Sequence, residues 1–172
     1  MSPVNIEIKA RTSQINKIRE ILNTCGADFK GTDHQIDTYF NVNSGRLKLR
    51  EGNIENHLIY YEREETAGPK KSVVVLHKNL PGTNLKEILI ASLGILVTVD
   101  KQREIYFIEN VKFHLDDVRE LGSFVEIEAI DLDGTIREDK LLEQCNHYIE
   151  LFGLTKGDMI AASYSDLLLA KS

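Results

Sequence analysis

The chain has 172 residues, 42% of them apolar and 28% charged, with a formal net charge of −6 at pH 7. That usage fits one globular domain over 1–172 and excludes disordered and fibrous chains. The acidic balance argues against general nucleic-acid binding, and no apolar run reaches the roughly 18–20 residues that span a bilayer, so no membrane partner is expected.

The start, Met1-Ser2-Pro3-Val4-Asn5, lacks a basic-then-apolar leader, which points to a cytoplasmic protein. From Val4 the residues Ile6, Ile8 and Ala10 alternate with Asn5, Glu7 and Lys9, the pattern of a strand with one polar face. Helical spacing follows from Ile15 to Cys25, stopped by Gly26. Strand patterns run from Asp33 to Val42, from Arg46 to Arg50 across the Asn43-Ser44-Gly45 turn, from His57 to Glu65, and from Ser72 to Lys78. The Lys70-Lys71 pair after Gly68-Pro69 reads as a solvated loop. A helix over Asn84–Leu93 carries a narrow stripe of Leu85, Ile88, Leu89 and Leu93. Three more strands are expected: Ile95–Ile108, Val111–Asp117 and Ser123–Ile130. A strong helix spans Glu138–Phe152, and a short one closes the chain from Ser163 to Ala170, with Asp166 completing a capping box. Cys25 and Cys145 lie far apart in helical patterns and read as reduced core residues.

Strands joined by short turns make an antiparallel sheet, and eight of them in so short a chain imply closure. The expected fold is α+β: an eight-stranded antiparallel closed β-barrel with helices packed on the outside. Residues at i, i+2 and i+4 share a strand face. Glu7 with Lys9, Arg46 with Lys48 and Arg50, Lys101 with Arg103, Lys112 with His114 and Asp116, and Glu126 with Glu128 are then co-facial. Their opposite faces are apolar, so helices must cover those and the charged faces turn inward. Burying so many ions costs several kcal/mol each unless they are paired or hold a charged ligand. Lys and Arg neutralise phosphate oxygens, and carboxylates hold Mg²⁺ or Mn²⁺, so a polyphosphate with a divalent cation fits such a lining.

With these residues assembled, the chain resembles the CYTH superfamily, the triphosphate tunnel metalloenzymes. The family's opening Glu-x-Glu-x-Lys appears here as Asn5-Ile6-Glu7-Ile8-Lys9, with Asn in place of the first Glu. Lys48-Leu49-Arg50, Lys101-Gln102-Arg103 and Val125-Glu126-Ile127-Glu128, preceded by Asp116, resemble its later motifs in order. The resemblance implies metal ligands at Glu7, Asp116, Glu126, Glu128 and Asn5. It also implies phosphate contacts at Lys9, Arg46, Lys48, Arg50, Arg63, Lys101, Arg103 and His114. Lys9, Glu7 and Glu128 are the catalytic candidates. The implied activity is Mg²⁺- or Mn²⁺-dependent hydrolysis of a small-molecule triphosphate: inorganic, thiamine or nucleoside. The alternatives are an adenylate cyclase and a non-catalytic polyphosphate-binding module. Monomer and homodimer both stay open.

Overall fold

Alternating side chains give a strand one face for an apolar neighbour and another for something else. In the computed structural model, which describes residues 4–172 apart from the side chain of Arg63, such strands close on themselves. They are β1 (Val4–Arg11), β2 (Asp28–Phe40), β3 (Arg46–Glu51), β4 (Asn56–Arg63), β5 (Lys70–Lys78), β6 (Ile95–Ile108), β7 (Val111–Val118) and β8 (Gly122–Asp131). The ring order is β1-β5-β4-β3-β2-β6-β7-β8, with β8 paired back to β1 and neighbours antiparallel throughout. The expected antiparallel barrel is the fold. Met1-Ser2-Pro3, which opens the stretch read above for a leader, lies outside the described residues. No helix among the described residues is long and apolar enough to cross a membrane.

The helices are α1 (Ile15–Thr24), α2 (Leu85–Leu93), α3 (Glu138–Leu151) and α4 (Tyr164–Lys171). α1 and α3 lie on the outward apolar face of β1, β7 and β8, where Ile18, Leu22, Leu141 and Cys145 pack on Ile6, Ile8, Phe113 and Ile127. The Phe113 ring meets the Tyr148 ring edge-on at 4.7 Å. Each such buried aliphatic or aromatic side chain contributes about 1.5–3 kcal/mol. This outer core is what forces the polar faces of the same strands inward. A second apolar cluster sits inside one end of the barrel, where Tyr164, Leu167 and Leu168 of α4 meet Tyr39, Val99 and Phe124. Ser163 caps α4 through the Asp166 backbone N–H, as the capping box predicts.

Four details differ from the sequence reading. β2 begins at Asp28, five residues before the alternation does, because it pairs with the long β6 through a register shift at Gly31. Gly31 takes a φ of +119°, which a side chain would oppose. Cys25 is exposed at the end of α1, while Cys145 is buried and gives its S–H to the Ile6 carbonyl. No residue of the apolar stripe of α2 is fully buried: Leu85, Leu89 and Leu93 are half-buried, and Ile88 is 60% exposed. Lys70 is no solvated loop residue: it is 2% exposed and donates to the carbonyls of Thr66 and Ala161.

Candidate active site in the barrel interior

Register decides which charges meet. Glu7 lies opposite Glu128 and Lys9 opposite Glu126 across β1 and β8. Lys112 faces Glu128, and His114 faces Glu126, across β7 and β8. These side chains, with Lys48 and Arg50 of β3 and Lys101 and Arg103 of β6, line a cavity of about 160 Å³ inside the barrel.

On the wall made by β2, β3 and β6, the cations gather on one acid. Asp37 is 1% exposed and takes a two-pronged pair from Arg50, Nε to Oδ1 at 2.9 Å and Nη2 to Oδ2 at 2.8 Å. Lys101 Nζ donates to Oδ2 at 2.8 Å and Lys48 Nζ stands 3.1 Å from the same oxygen. Burial pushes the Asp37 carboxyl up, but Arg50, Lys101 and Lys48 outweigh it and hold it well below the usual carboxylate range. For Lys101 burial wins over Asp37 and draws the ammonium down to about 7.

Farther round, Arg103 forks onto Asp116 with both bonds at 2.7 Å and reaches Glu126 Oε1 at 2.9 Å. The Tyr164 hydroxyl donates to Asp116 Oδ2 at 2.7 Å. Both Asp116 oxygens are therefore engaged by the protein itself. Burial raises Glu126, yet Arg103 above all, with Lys9, keeps it well below its ordinary value. His114 is held down to about 4 by burial and by Arg103, so the ring is neutral near pH 7. Neither ring nitrogen has a hydrogen-bond partner among the described residues, and Nδ1 stands 3.7 Å from Glu126.

The β1–β8 wall has the opposite character. Burial and then the Glu7 charge raise the Glu128 carboxyl to about 7. Asn5, buried beside it, gives its side-chain N–H to Glu128 Oε1. Among the described residues no group of three His, Cys, Asp or Glu side chains is placed to hold a metal alone. Glu126 is turned to Arg103 instead. The facing carboxylates nevertheless offer oxygen donors whose mutual repulsion a cation would relieve. Mg²⁺ commonly takes one or two carboxylates and fills its other positions with water and substrate phosphate oxygens. The residues present fit a cation that arrives with a phosphate chain.

Arg46 behaves differently from its strand neighbours. Its guanidinium pairs with Asp166 of α4 at 3.2 Å and lines a separate groove with Glu62 and Glu65, outside the central cavity. Arg63 stands opposite Ser72 in the β4–β5 register, but its side chain lies outside the described residues. Three interior residues were missed from sequence: Asp37, Glu55 and Tyr164. Asp37 shares the inward face of β2 with Gln35 and Tyr39, so alternation could have found it. Glu55 comes from the β3–β4 turn and pairs with Lys112 at 2.6 Å and Arg50 at 3.4 Å. That turn is fixed by Asp33, whose carboxylate accepts the backbone N–H groups of Asn53, Ile54 and Glu55. A Cβ at Gly52 would stand 2.6 Å from the same carboxylate, so the turn needs glycine there.

The model of the CYTH domain matches residues 4–161. The candidate adenylate cyclase MJ0240 of Methanocaldococcus jannaschii is 25% identical over 95% of this chain and 98% of its own length. A candidate adenylate cyclase structure from Vibrio parahaemolyticus superposes with a TM-score of 0.77 at 16% identity, covering 98% of this chain and 99% of that one. A Hippeastrum protein, HpAC1, described as a candidate adenylyl cyclase with a dominant triphosphatase activity, gives a TM-score of 0.64 at 11% identity, covering 99% and 96%.

Proposed function

The chain belongs to the CYTH family, and from that premise we propose that it is a divalent-metal-dependent enzyme that hydrolyses a triphosphate. CYTH triphosphate tunnel enzymes generally use divalent cations. The observation that carries the reading is the meeting, in one cavity, of a wall of cations with a facing pair of carboxylates.

Lys48, Arg50 and Lys101 bind the oxygens of the phosphate chain from one side, and Lys9 and Arg103 from the other. Asp37 and Asp116 hold those cations in place before substrate arrives, so little reorganisation is needed as charge develops on the leaving phosphate. Asp116 is in this reading a positioning residue for Arg103 and not a metal ligand. Glu7 and Glu128 would hold Mg²⁺ or Mn²⁺, with Asn5 fastening Glu128 and Glu126 at the margin. When bound, the cation neutralises phosphate charge and acidifies a coordinated water. Lys9, beside Glu126, neutralises charge on the phosphate that departs. The neutral His114 ring donates its one N–H to a phosphate oxygen, or accepts a hydrogen bond from the attacking water at its other nitrogen.

The name of the Methanocaldococcus relative favours a second reading, cyclisation of ATP with release of pyrophosphate. One experiment separates the two. The purified chain is incubated with tripolyphosphate, thiamine triphosphate and ATP, each with Mg²⁺ and with Mn²⁺, and phosphate, pyrophosphate and cyclic AMP are measured together. Orthophosphate is the expected product. Cyclic AMP with pyrophosphate transfers the assignment to a cyclase. Thermal stabilisation by tripolyphosphate without any product would make the chain a binding module.

A further inference from the structure

Among the described acids that line the cavity, Glu55 has no part in the proposed reaction. A carboxylate facing a polyanion opposes its binding, yet the structure holds this one firmly. The backbone N–H groups of Asn53, Ile54 and Glu55 all end on the buried Asp33 carboxylate. Gln35 Nε2 donates at 2.9 Å to Asp33 Oδ2 and at 2.9 Å to Glu55 Oε1. Both N–H groups of that amide therefore go to carboxylates, and its own buried oxygen has no partner among the described residues. Folded proteins rarely leave such an atom unsatisfied. Gln35 is committed to fixing Glu55 even though its oxygen goes without.

What Glu55 holds is Lys112. In the ring, β2 and β6 separate β7 from β3, so the bond from Lys112 Nζ to Glu55 Oε2 at 2.6 Å reaches across the barrel. A nearer acid is available. Lys112 stands opposite Glu128 in the β7–β8 register, and Glu128 stands opposite Glu7 in the β1–β8 register. The three form one row over neighbouring strands, where opposite charges directly across from each other attract. With no rival acid the ammonium would settle on Glu128. There it would relieve the repulsion of the carboxylate pair and occupy the oxygens that a cation needs.

We infer that Glu55 is a positioning residue that draws Lys112 off the Glu7–Glu128 pair and so keeps that pair open to a divalent cation. This rests on the proposed triphosphate reading and adds how its cation site escapes capture by a neighbouring lysine. Burial raises the Glu55 carboxyl, but Lys112 and Arg50 outweigh it and hold it below the usual carboxylate range, so the tether is charged near pH 7. Asn5, the other side chain bonded to Glu128, is an amide and brings no charge to offset Lys112.

The test titrates the full chain in a calorimeter with diimidotriphosphate, whose P–N–P links resist hydrolysis, once as its Mn²⁺ complex and once free of metal. The ratio of the two affinities reports what the metal contributes. Glu55→Gln should lower that ratio at least about tenfold, because a unit charge moved to within a few ångströms of a divalent cation repels it that strongly. Its metal-free affinity should hold or rise, since one opposing carboxylate is gone. Adding Lys112→Met to Glu55→Gln should return the ratio to within about threefold of wild type. An unchanged ratio in Glu55→Gln overturns the inference. So does a double variant that stays low, which would make Glu55 a ligand of the metal itself. Should Glu55→Gln fail to fold, Lys112→Met carries the test: its ratio should hold or rise, and a fall overturns the inference. A wild-type chain that binds neither form overturns the triphosphate reading, and the role of Glu55 with it.

Discussion

On the wall built by β2, β3 and β6, Lys48, Arg50 and Lys101 converge on the single carboxylate of Asp37. On the wall built by β1 and β8, Glu7 and Glu128 face each other in register, and Glu128 is driven up to about 7 by burial and by its neighbour. One wall holds more positive charge than its own acid can balance, and the other concentrates negative charge. Neither imbalance serves folding, since buried ions are costly even when paired. Together they suit the ligand proposed above, an anion with several oxygens accompanied by a hard cation. The outer face of the same strands shows no such tension, because Ile6, Ile8, Phe113 and Ile127 are satisfied by α1 and α3. The outer core and the apolar cluster around Tyr164 stabilise the barrel, and the charged stretch of its interior opposes them.

The sharpest way to break the cationic wall is to remove its acid. Asp37→Asn leaves Arg50, Lys101 and Lys48 without their shared counter-charge and should cost about 3–5 kcal/mol in chemical denaturation, with saturating tripolyphosphate recovering part of the loss. The same carboxylate gives an acid-stability signature. Its folded-state pKa is depressed, so its contribution is complete above the ordinary value of 3.8 and disappears as pH falls below it. The wild-type chain should lose stability steeply there, and the Asp37→Asn variant should lose that slope.

The acid wall should fail in the opposite way. Glu128→Gln removes one of the facing carboxylates and relieves their repulsion, so the melting temperature should hold or rise. Metal-dependent turnover should drop on the order of 100-fold or more, as for loss of one preorganised electrostatic group. Loss of stability together with activity would place Glu128 in the framework and not in the site. Between these effects lies Lys101, whose ammonium is drawn down to about 7. Its charge is present below that pH and lost above it, so tripolyphosphate affinity should weaken on the order of tenfold from pH 6.5 to 8.5. Lys101→Arg keeps the charge and should flatten that dependence relative to wild type.

How far the interior could be read in advance depends on whether a residue sits in a repeating pattern. Glu7 and Lys9, or Glu126 and Glu128, lie in clean alternation, and alternation alone sends them inward once the other face is apolar. Asp37 obeyed the same rule, but an acid among cations proposed to bind phosphate has no evident reason until Arg50, Lys48 and Lys101 are seen around it. Glu55 had no signal at all. It stands in a turn, and only the Asp33 carboxylate gathering three backbone N–H groups aims it at Lys112. Tyr164 belongs to a short helix whose polar and apolar residues form no clear stripe, so nothing in its spacing says that its ring enters the barrel. Lys70 was hidden by the Gly-Pro turn before it, since a turn residue is ordinarily solvated and this one anchors the chain that crosses the barrel end.

Arg46 marks the limit of the face argument and gives the smallest expected effect. By alternation it belongs with Lys48 and Arg50, yet it stands at the covered end of β3, where Asp166 draws its guanidinium away from the cavity. Both partners are more than a third exposed, so the pair is worth about 0–1 kcal/mol. Arg46→Ala should therefore change tripolyphosphate affinity by less than about threefold, whereas Lys48→Ala, one step along the same face, should cost at least about tenfold, as loss of a charge-assisted hydrogen bond inside the cavity does. Calorimetric titration of the two variants side by side checks the contrast. Equal losses would mean that the α4 latch opens when substrate binds and returns Arg46 to the tunnel. In that case Asp166→Ala would raise affinity by freeing Arg46 to turn inward.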